Sequence, residues 1–256
     1  MNDTPFTISA DPTALHLTPS LQAVILRTRF TIDKRQGLST ILGDFGLGKS
    51  SLLRYLYGSY AAREDTITQL IPTPDYPTVF GLLKAICSSF EIAPKGSYQA
   101  QIKVFEEYLV AQYAAGLNVV IFVDEANVLK PDKLELFRRF LNFETHTHKL
   151  VQVVMAGQLE LKARLAPSLR SRISTYSLLS PLTLPETGEM IARRCQAAGV
   201  QSPFTPKHVE EVYRLTGGIP RYVLKVCAVA YEAQLQLGYL PELEDMVGEV
   251  SAEVAA

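Results

Sequence analysis

The sequence predicts an α/β domain with a parallel sheet, followed by a small helical domain. Three stretches carry that prediction. The short apolar run Leu38–Leu42 leads through Gly43-Asp-Phe-Gly-Leu-Gly-Lys49-Ser50 into a segment with Leu52, Leu53 and Leu56 at helical spacing. Residues 119–123 are continuously apolar, as in a strand buried on both faces of a parallel sheet, and end in Asp124-Glu125. After Pro181 strands give way to short helices opened by prolines, at Pro185, Pro206, Pro220 and Pro241.

Composition limits what such a fold does. A chain of 256 residues suits one large domain, or a main domain with a smaller companion. With 47% hydrophobic and 20% charged residues it has the material for a true core. A formal net charge of −1 gives no global basic field to attract nucleic acid, so only a local patch would serve. Cys87, Cys195 and Cys227 are widely spaced and set among apolar neighbours, the pattern of buried thiols in a reducing compartment. The four histidines form no ligand cluster. No run approaches the ~18 apolar residues of a membrane helix. The start, Met-Asn-Asp-Thr-Pro, lacks the basic-then-apolar pattern of a signal peptide. A cytoplasmic protein without direct membrane insertion is expected.

In chain order, residues 1–20 read as an arm laid over the domain, with Pro5-Phe6 and Asp11-Pro12 against a helix. Leu21, Ile25 and Phe30 place a first helix over 21–32. The glycine-rich turn follows the first strand, and its helix runs to about residue 62. Thr66–Ile71 is the second strand. Pro72, Pro74 and Pro77 then lead to a helix near Thr78 with Phe80, Leu83, Ile86 and Phe90 at helical spacing. A helix over 101–115 stops at Gly116. The acid-tipped run is the third strand, and Pro131 starts the next helix. A fourth strand over 151–156, a short helix over 159–166 and a fifth strand over 174–179 complete the α/β alternation. The expected division is an arm at 1–20, a sheet domain at 21–181 and a helical domain at 182–256.

The chemistry begins with G-x-x-x-x-G-K-S between a strand and a helix, the context of a phosphate loop. A polyphosphate needs several inward N–H groups, and glycines let the backbone approach closely enough. The segment Gly43, Phe45, Gly46, Leu47, Gly48, Lys49, Ser50 and Ser51 is expected to hold ATP. Lys49 would meet the β- and γ-phosphates, and Ser50 would ligate Mg²⁺. The helix N-terminus adds positive potential. Asp124 and Glu125 stand beyond the C-terminal end of a strand, the ligand-binding edge of an open α/β sheet. Asp124 is expected to hold Mg²⁺, directly or through water, and Glu125 to polarise the water that attacks the γ-phosphate. Arginines recur in Leu169-Arg-Ser-Arg-Ile173 and Gly217-Gly-Ile-Pro-Arg221. One supplied by a neighbouring subunit can stabilise charge on a transferred phosphoryl group; a surface ion pair is the alternative for each.

With these pieces assembled the chain resembles AAA+ ATPases, and among them the ExeA, or general secretion pathway protein A, type. The resemblance rests on Pro5-Phe6, residues 43–50, Val123-Asp-Glu-Ala126, Asn142-Phe-Glu-Thr145, Lys149-Leu-Val-Gln-Val-Val-Met-Ala-Gly-Gln158, 169–173 and 217–221. It covers about 5–238. The resemblance implies a P-loop domain with five parallel strands in the order 5-1-4-3-2, and a helical lid after it. It implies that Arg221 senses the γ-phosphate within its own subunit. Arg172, or failing that Arg170, would act on a neighbour's nucleotide. Gln158, at the tip of the fourth strand, takes the place of a polar sensor, and Phe6, Thr7 and Ile8 would cover the adenine.

Larger secretion proteins of this type continue into a membrane segment and a peptidoglycan-binding domain, whereas this chain runs to Ala256 with neither. In size it also resembles the transposition-regulator ATPases of the TnsC and TniB type, which assemble on DNA as rings or filaments. The expected function is therefore ATP hydrolysis coupled to homo-oligomer assembly in a DNA-associated regulator of a mobile element. Double-stranded DNA and a further protein are the expected partners. A secretion-associated ATPase and a slow-turnover, nucleotide-switched DNA scaffold are the alternatives. Lys130, Lys133, Arg138 and Arg139, interleaved with Phe137 and Phe140, would line a DNA pore or else form the solvated face of an amphipathic helix.

Overall fold

The computed structural model describes residues 5–8 and 15–246; Asp11-Pro12, part of the expected arm, lies outside them. Its contacts separate two units. One comprises 19–44 and 49–179; the other comprises the described residues of 5–18 together with 45–48 and 180–246.

The first unit is built on five strands: β1 (Leu38–Leu42), β2 (Thr66–Ile71), β3 (Asn118–Val123), β4 (Val151–Gly157) and β5 (Ile173–Leu178). They pair in parallel throughout, in the order β2-β3-β4-β1-β5, which is the 5-1-4-3-2 order. β1, β3 and β4 are buried along their whole length, whereas the edge strands β2 and β5 are mostly half-exposed. Their composition follows position: Val-Val-Ile-Phe-Val fills the centre of β3, and the edges alternate Thr, Ser and Gln with apolar residues. The helices of this unit are α1 (Pro19–Asp33), α2 (Lys49–Ala61), α3 (Val79–Ser89), α4 (Tyr98–Ala114), α5 (Pro131–Phe140), α6 (Glu160–Arg164) and α7 (Pro167–Arg170), with a 3-10 turn at Ala126–Val128.

Polar groups inside this core are paired where they join elements. The buried Gln152 of β4 accepts from Gly37 N at 2.7 Å and donates to Lys149 O at 2.9 Å, tying together the N-terminal ends of β1 and β4. Hydroxyls link α1 to the sheet: Thr31 to Thr175 at 2.8 Å, and Thr175 to Ser39 at 2.8 Å.

Three expected elements differ in detail. α4 starts at Tyr98, ahead of Gln101, because the Ser97 hydroxyl accepts from Ala100 N at 3.2 Å and caps the helix earlier. The expected helix over 159–166 is α6, and a further short helix, α7, follows it where the sequence reading placed none. Ala166 precedes Pro167 and takes φ −58°, ψ 149°, the extended conformation that a following proline enforces. On α5, Phe137 and Phe140 are core residues, with Phe140 4.7 Å from Phe105 between ring centroids. Lys133 is buried too, Arg138 pairs with Glu135 at 2.5 Å and Arg139 lies 5.6 Å from the Tyr98 ring. Of the residues read as lining a pore or a solvated face, Phe137, Phe140 and Lys133 are therefore core, while Lys130 and Arg139 are exposed.

The second unit contains α8 (Leu184–Ala197), α9 (Pro206–Thr216), α10 (Pro220–Leu237) and the short α11 (Leu243–Met246). Thr183 and Glu186 form a reciprocal capping box at the start of α8, and Thr205 caps α9 with Pro206 at its first position. The buried side chains include Met190, Ile191, Val212, Val223 and Val226, joined by Phe6 from the arm. Cys195 and Cys227 are buried here, and Cys87 in the sheet unit; all three are free thiols. Burial pushes the Cys87 thiol up to about 11, as expected of an inert core thiol. Among the described residues no helix is long and apolar enough to cross a membrane.

Gly218 has the sharpest sequence requirement in this unit. It sits at φ +72°, and a Cβ there would stand 2.1 Å from Leu182 O, while Gly218 O accepts from Leu182 N at 2.9 Å. Gly218→Ala is expected to destabilise the fold by about 3 kcal/mol, combining the left-handed conformation with a backbone collision. Gly217→Ala, at φ +58° with open space around its Cβ, is the control and should lose only about 1 kcal/mol. Urea midpoints read the two, and equal midpoints would refute the collision.

Candidate functional site

The sheet's C-terminal edge gathers three chain tips. Leu42 pairs with Gly157 and Val123 with Met155, so β1, β4 and β3 end side by side and present Gly43, Gln158 and Asp124. Gly43 N donates to Gly157 O at 3.3 Å, which starts the loop in line with the sheet. The chain re-enters this unit at Lys49, the first residue of α2. Its ammonium donates to Gly43 O at 2.9 Å and to Asp44 O at 2.7 Å. The cation is thus held at the start of the loop by two carbonyls. A phosphate oxygen offers a stronger, charged acceptor than either. Ser50 and Ser51 follow in the first helical turn, both half-buried.

The loop tip, 45–48, belongs to the helical unit. Gly46 sits at φ +81°, and a Cβ there would lie 2.9 Å from Ile219 Cγ2 and 3.1 Å from Arg221 Cβ. Only glycine lets the start of α10 approach so closely. Arg221 N donates to Gly46 O at 3.2 Å, and its guanidinium lies 4.2 Å from the centroid of the Phe45 ring, a cation–π contact. Phe45 is otherwise 55% exposed. The two separate sequence motifs, 43–50 and 217–221, therefore meet at the loop tip.

The two acids at the end of β3 have different surroundings. Asp124 is 7% exposed; its N–H donates to Ile71 O at 2.9 Å and its Oδ1 accepts from Glu125 N at 2.9 Å. Among the described residues it has no ion pair. A buried carboxylate without a counter-charge is costly unless a cation joins it. Its hard oxygens and the Ser50 hydroxyl suit magnesium, which takes one or two protein ligands and fills the rest with phosphate and water. No group of three or more His, Cys, Asp or Glu suited to a metal occurs among the described residues, so an all-protein metal cage has no place here. Glu125, by contrast, is exposed and adopts φ 49°, ψ 36°. That left-handed conformation costs a residue with a Cβ about 1–2 kcal/mol. It turns the chain out of the strand into the 3-10 turn, closed by Val128 N to Glu125 O at 2.9 Å.

Asn127 is a residue that the sequence analysis passed over. Its Oδ1 accepts from Gln158 N at 3.2 Å, and its carbonyl accepts from Arg164 at 2.5 Å. It therefore splices the turn after β3 to the tip of β4. The available signal was its place two residues after Glu125 in Asp-Glu-Ala-Asn. Gln158 itself is half-buried at that tip.

Arg172 lies at the other end of the strands. Arg172 immediately precedes β5, whose first residue is in register with Leu38 at the start of β1. β1 separates it from Gly43 by five residues, about 16 Å of strand. Arg172 donates to Asn142 Oδ1 at 2.5 Å and to Leu141 O at 3.5 Å, at the C-terminus of α5. Arg170 donates to Lys162 O at 3.1 Å and Leu165 O at 3.2 Å, beside α6. Neither is ion-paired among the described residues, so the surface ion pair offered as their alternative is replaced by bonds to neutral groups. Phe6 needs a correction. Its ring is 1% exposed and packs edge-on against Phe204 at 5.6 Å and Tyr231 at 5.9 Å, inside the helical unit's core. It anchors the arm, leaving the exposed Thr7 and Ile8 as the residues able to meet a base.

Residues 32–165, more than half of the chain and all of the sheet from β1 to β4, match the AAA domain family. The chain belongs to that family. With it come the AAA fold and its ATPase class. The chain is 32% identical over 245 residues to general secretion pathway protein A of Aeromonas hydrophila, with 93% of this chain aligned. It spans 44% of that protein's length. Among solved structures, the ORC2 protein of Aeropyrum pernix in its ADPNP-ADP complexes superposes with a TM-score of 0.71 at 14% identity, covering 96% of this chain and 71% of that one. The ORC1 protein of the same organism, in complex with DNA, gives 0.68 at 17% identity, covering 93% and 67%. At those identities the likeness is one of fold.

Proposed function

We propose that this AAA ATPase binds ATP with Mg²⁺ at residues 43–51 and couples its hydrolysis to homo-oligomer assembly, as a ring or filament, around a partner. The observation that carries the reading is the buried Asp124, without an ion pair among the described residues, at the strand tip beside the exposed Glu125. In this reading the loop backbone holds the polyphosphate and Lys49 leaves the Gly43 and Asp44 carbonyls for the β- and γ-phosphates. Asp124 and Ser50 hold Mg²⁺, which would supply charge neutralisation at the phosphate oxygens. Glu125 takes a proton from the attacking water, and Gln158, positioned through Asn127, orients it. Arg221 gives up the Phe45 ring for the γ-phosphate of its own subunit, Thr7 and Ile8 cover the adenine, and Arg172 or Arg170 serves the neighbouring subunit's nucleotide.

The process it serves is read from the relative that aligns along 93% of this chain, a general secretion pathway protein. A secretion-type ATPase module, engaging a protein partner, is therefore the first reading. A DNA-associated regulator of a mobile element, of the transposition-regulator kind, is the second, favoured by the fold shared with a DNA-bound ORC1 protein. Contacts to DNA through α5 would fall to the exposed Lys130 and Arg139, since Phe137, Phe140 and Lys133 are buried.

Lys49→Ala tests the site. Removing the cation should abolish ATP binding in calorimetry, and urea midpoints of the two chains report whether the fold is retained. Unchanged ATP affinity would remove residues 43–51 from the nucleotide site.

A further inference from the structure

At the N-terminal edge of the sheet, opposite the phosphate loop, a cleft of about 810 Å³ opens where three neighbouring strands begin. Residues 34–36 precede β1, residues 144–149 precede β4 and Ser174 lies at the start of β5. The walls are knitted together by their backbones. Lys149 N donates to Arg35 O at 2.9 Å, Ser174 Oγ to Gln36 O at 2.8 Å, and Thr145 N to His148 O at 2.8 Å, while Glu144 and Lys149 form an antiparallel bridge.

The lining is cationic. Lys34, Arg35 and Lys149 face one carboxylate, Glu144, and Lys149 already neutralises it. His146 and His148 add two imidazoles, and Thr145 and Thr147 two hydroxyls. His148 Nδ1 is held between Tyr113 Oη at 3.2 Å and Thr147 Oγ1 at 3.1 Å, which orients its ring.

Arg35 decides the ligand. It takes φ 51°, a left-handed conformation that a residue with a Cβ adopts at a cost. Its guanidinium lies 4.9 Å from the centroid of the Tyr113 ring, and its Nη2 donates to Gly116 O at 3.0 Å. Nη1 is buried with no hydrogen-bond partner. A planar guanidinium held by a ring and a carbonyl, beside Lys34 in a cleft whose one lining carboxylate is already paired, is matched by an oxyanion. The negative end of α1 nearby is already capped, since the N–H groups of Lys34, Arg35 and Gln36 donate to Phe30, Ile32 and Thr31 carbonyls. No metal reading competes, because no group of three metal-ligating side chains occurs among the described residues.

We propose that this cleft is a second anion site, binding a phosphate oxyanion on Arg35 with Lys34 and the His146–His148 loop, separate from the nucleotide loop. The phosphate comes from a nucleic-acid strand or from a free phosphate compound. Histidine ring NMR separates this site from the nucleotide site, because His146 and His148 line the cleft while His16 and His208 lie in the helical unit. The probes are inorganic phosphate alone and a 20-bp DNA duplex, titrated into the whole chain. His146 and His148 signals should move with either probe while those of His16 and His208 stay. Lys34→Glu, an exposed position, should weaken the titration at least fivefold, and Arg35→Lys, which keeps the charge and loses the fork, should weaken it as well. Tighter binding of the duplex, falling with salt, assigns the strand; tighter binding of inorganic phosphate assigns the free compound. Still signals at His146 and His148 with both probes, or a titration unaffected by Lys34→Glu and Arg35→Lys, would overturn the site.

Discussion

Glu125→Gln is expected to leave ATP affinity within about twofold and to lower turnover by about two to four orders of magnitude. The substitution keeps size and exposure and removes only the basic oxygen. Its neighbour Asp124, whose Oδ1 accepts the residue-125 N–H, is untouched, because that bond is made by the backbone. Cation binding and phosphate binding therefore persist, and the ATP-bound assembly should accumulate instead of turning over. The comparison variant is Asp124→Asn. It removes the buried charge and should weaken nucleotide binding in the presence of Mg²⁺, with less effect on metal-free nucleotide. Turnover assays and calorimetry with and without Mg²⁺ read both. If Glu125→Gln hydrolyses ATP near the parent rate, the water-activating base lies elsewhere.

Arg172→Ala is expected to bind ATP as the parent chain does and to hydrolyse it about 10³-fold more slowly, the range attributed to an arginine acting in trans. The argument is geometric. Arg172 stands at the N-terminal ends of the strands and its own phosphate loop at the C-terminal ends, so it cannot serve its own site. In the isolated chain its guanidinium rests on Asn142 and on the carbonyl of Leu141, both neutral, and its charge is available to a neighbour. Specific activity of the parent should consequently rise with protein concentration. Mixing Arg172→Ala with Lys49→Ala should restore part of the activity, since one supplies the site and the other the arginine. A purely local role predicts a small stability loss, turnover independent of concentration and no rescue. Arg170→Ala is the parallel measurement, because among the described residues Arg170 donates to neutral carbonyls, those of Lys162 and Leu165. If neither variant loses activity, neither arginine acts in trans.

The sequence by itself determined the α/β class, the five strands and where the glycine-rich loop and the acid pair stand on them. Strands buried on both faces must be continuous apolar runs, and helices need caps and breaks, so Val-Val-Ile-Phe-Val and Thr205-Pro206 announce their own structure. A phosphate loop is equally local, because its glycines, Lys49 and Ser50 lie within a few residues of one another. What depends on distant partners was decided only by tertiary structure. Phe6 reads as an arm residue able to meet a base, yet it enters a core assembled from Phe204 and Tyr231, about two hundred residues away in sequence. Phe137 and Phe140 are interleaved with cations as in a pore lining or a solvated face, but helical period turns both into the core, Phe140 onto Phe105. Asn127, the Arg221–Phe45 contact and the cleft around Arg35 each join segments whose pairing no local pattern encodes. Their geometry comes from strand order and register, which bring 34–36, 144–149 and 174 to one edge of the sheet and residues 43, 124 and 158 to the other.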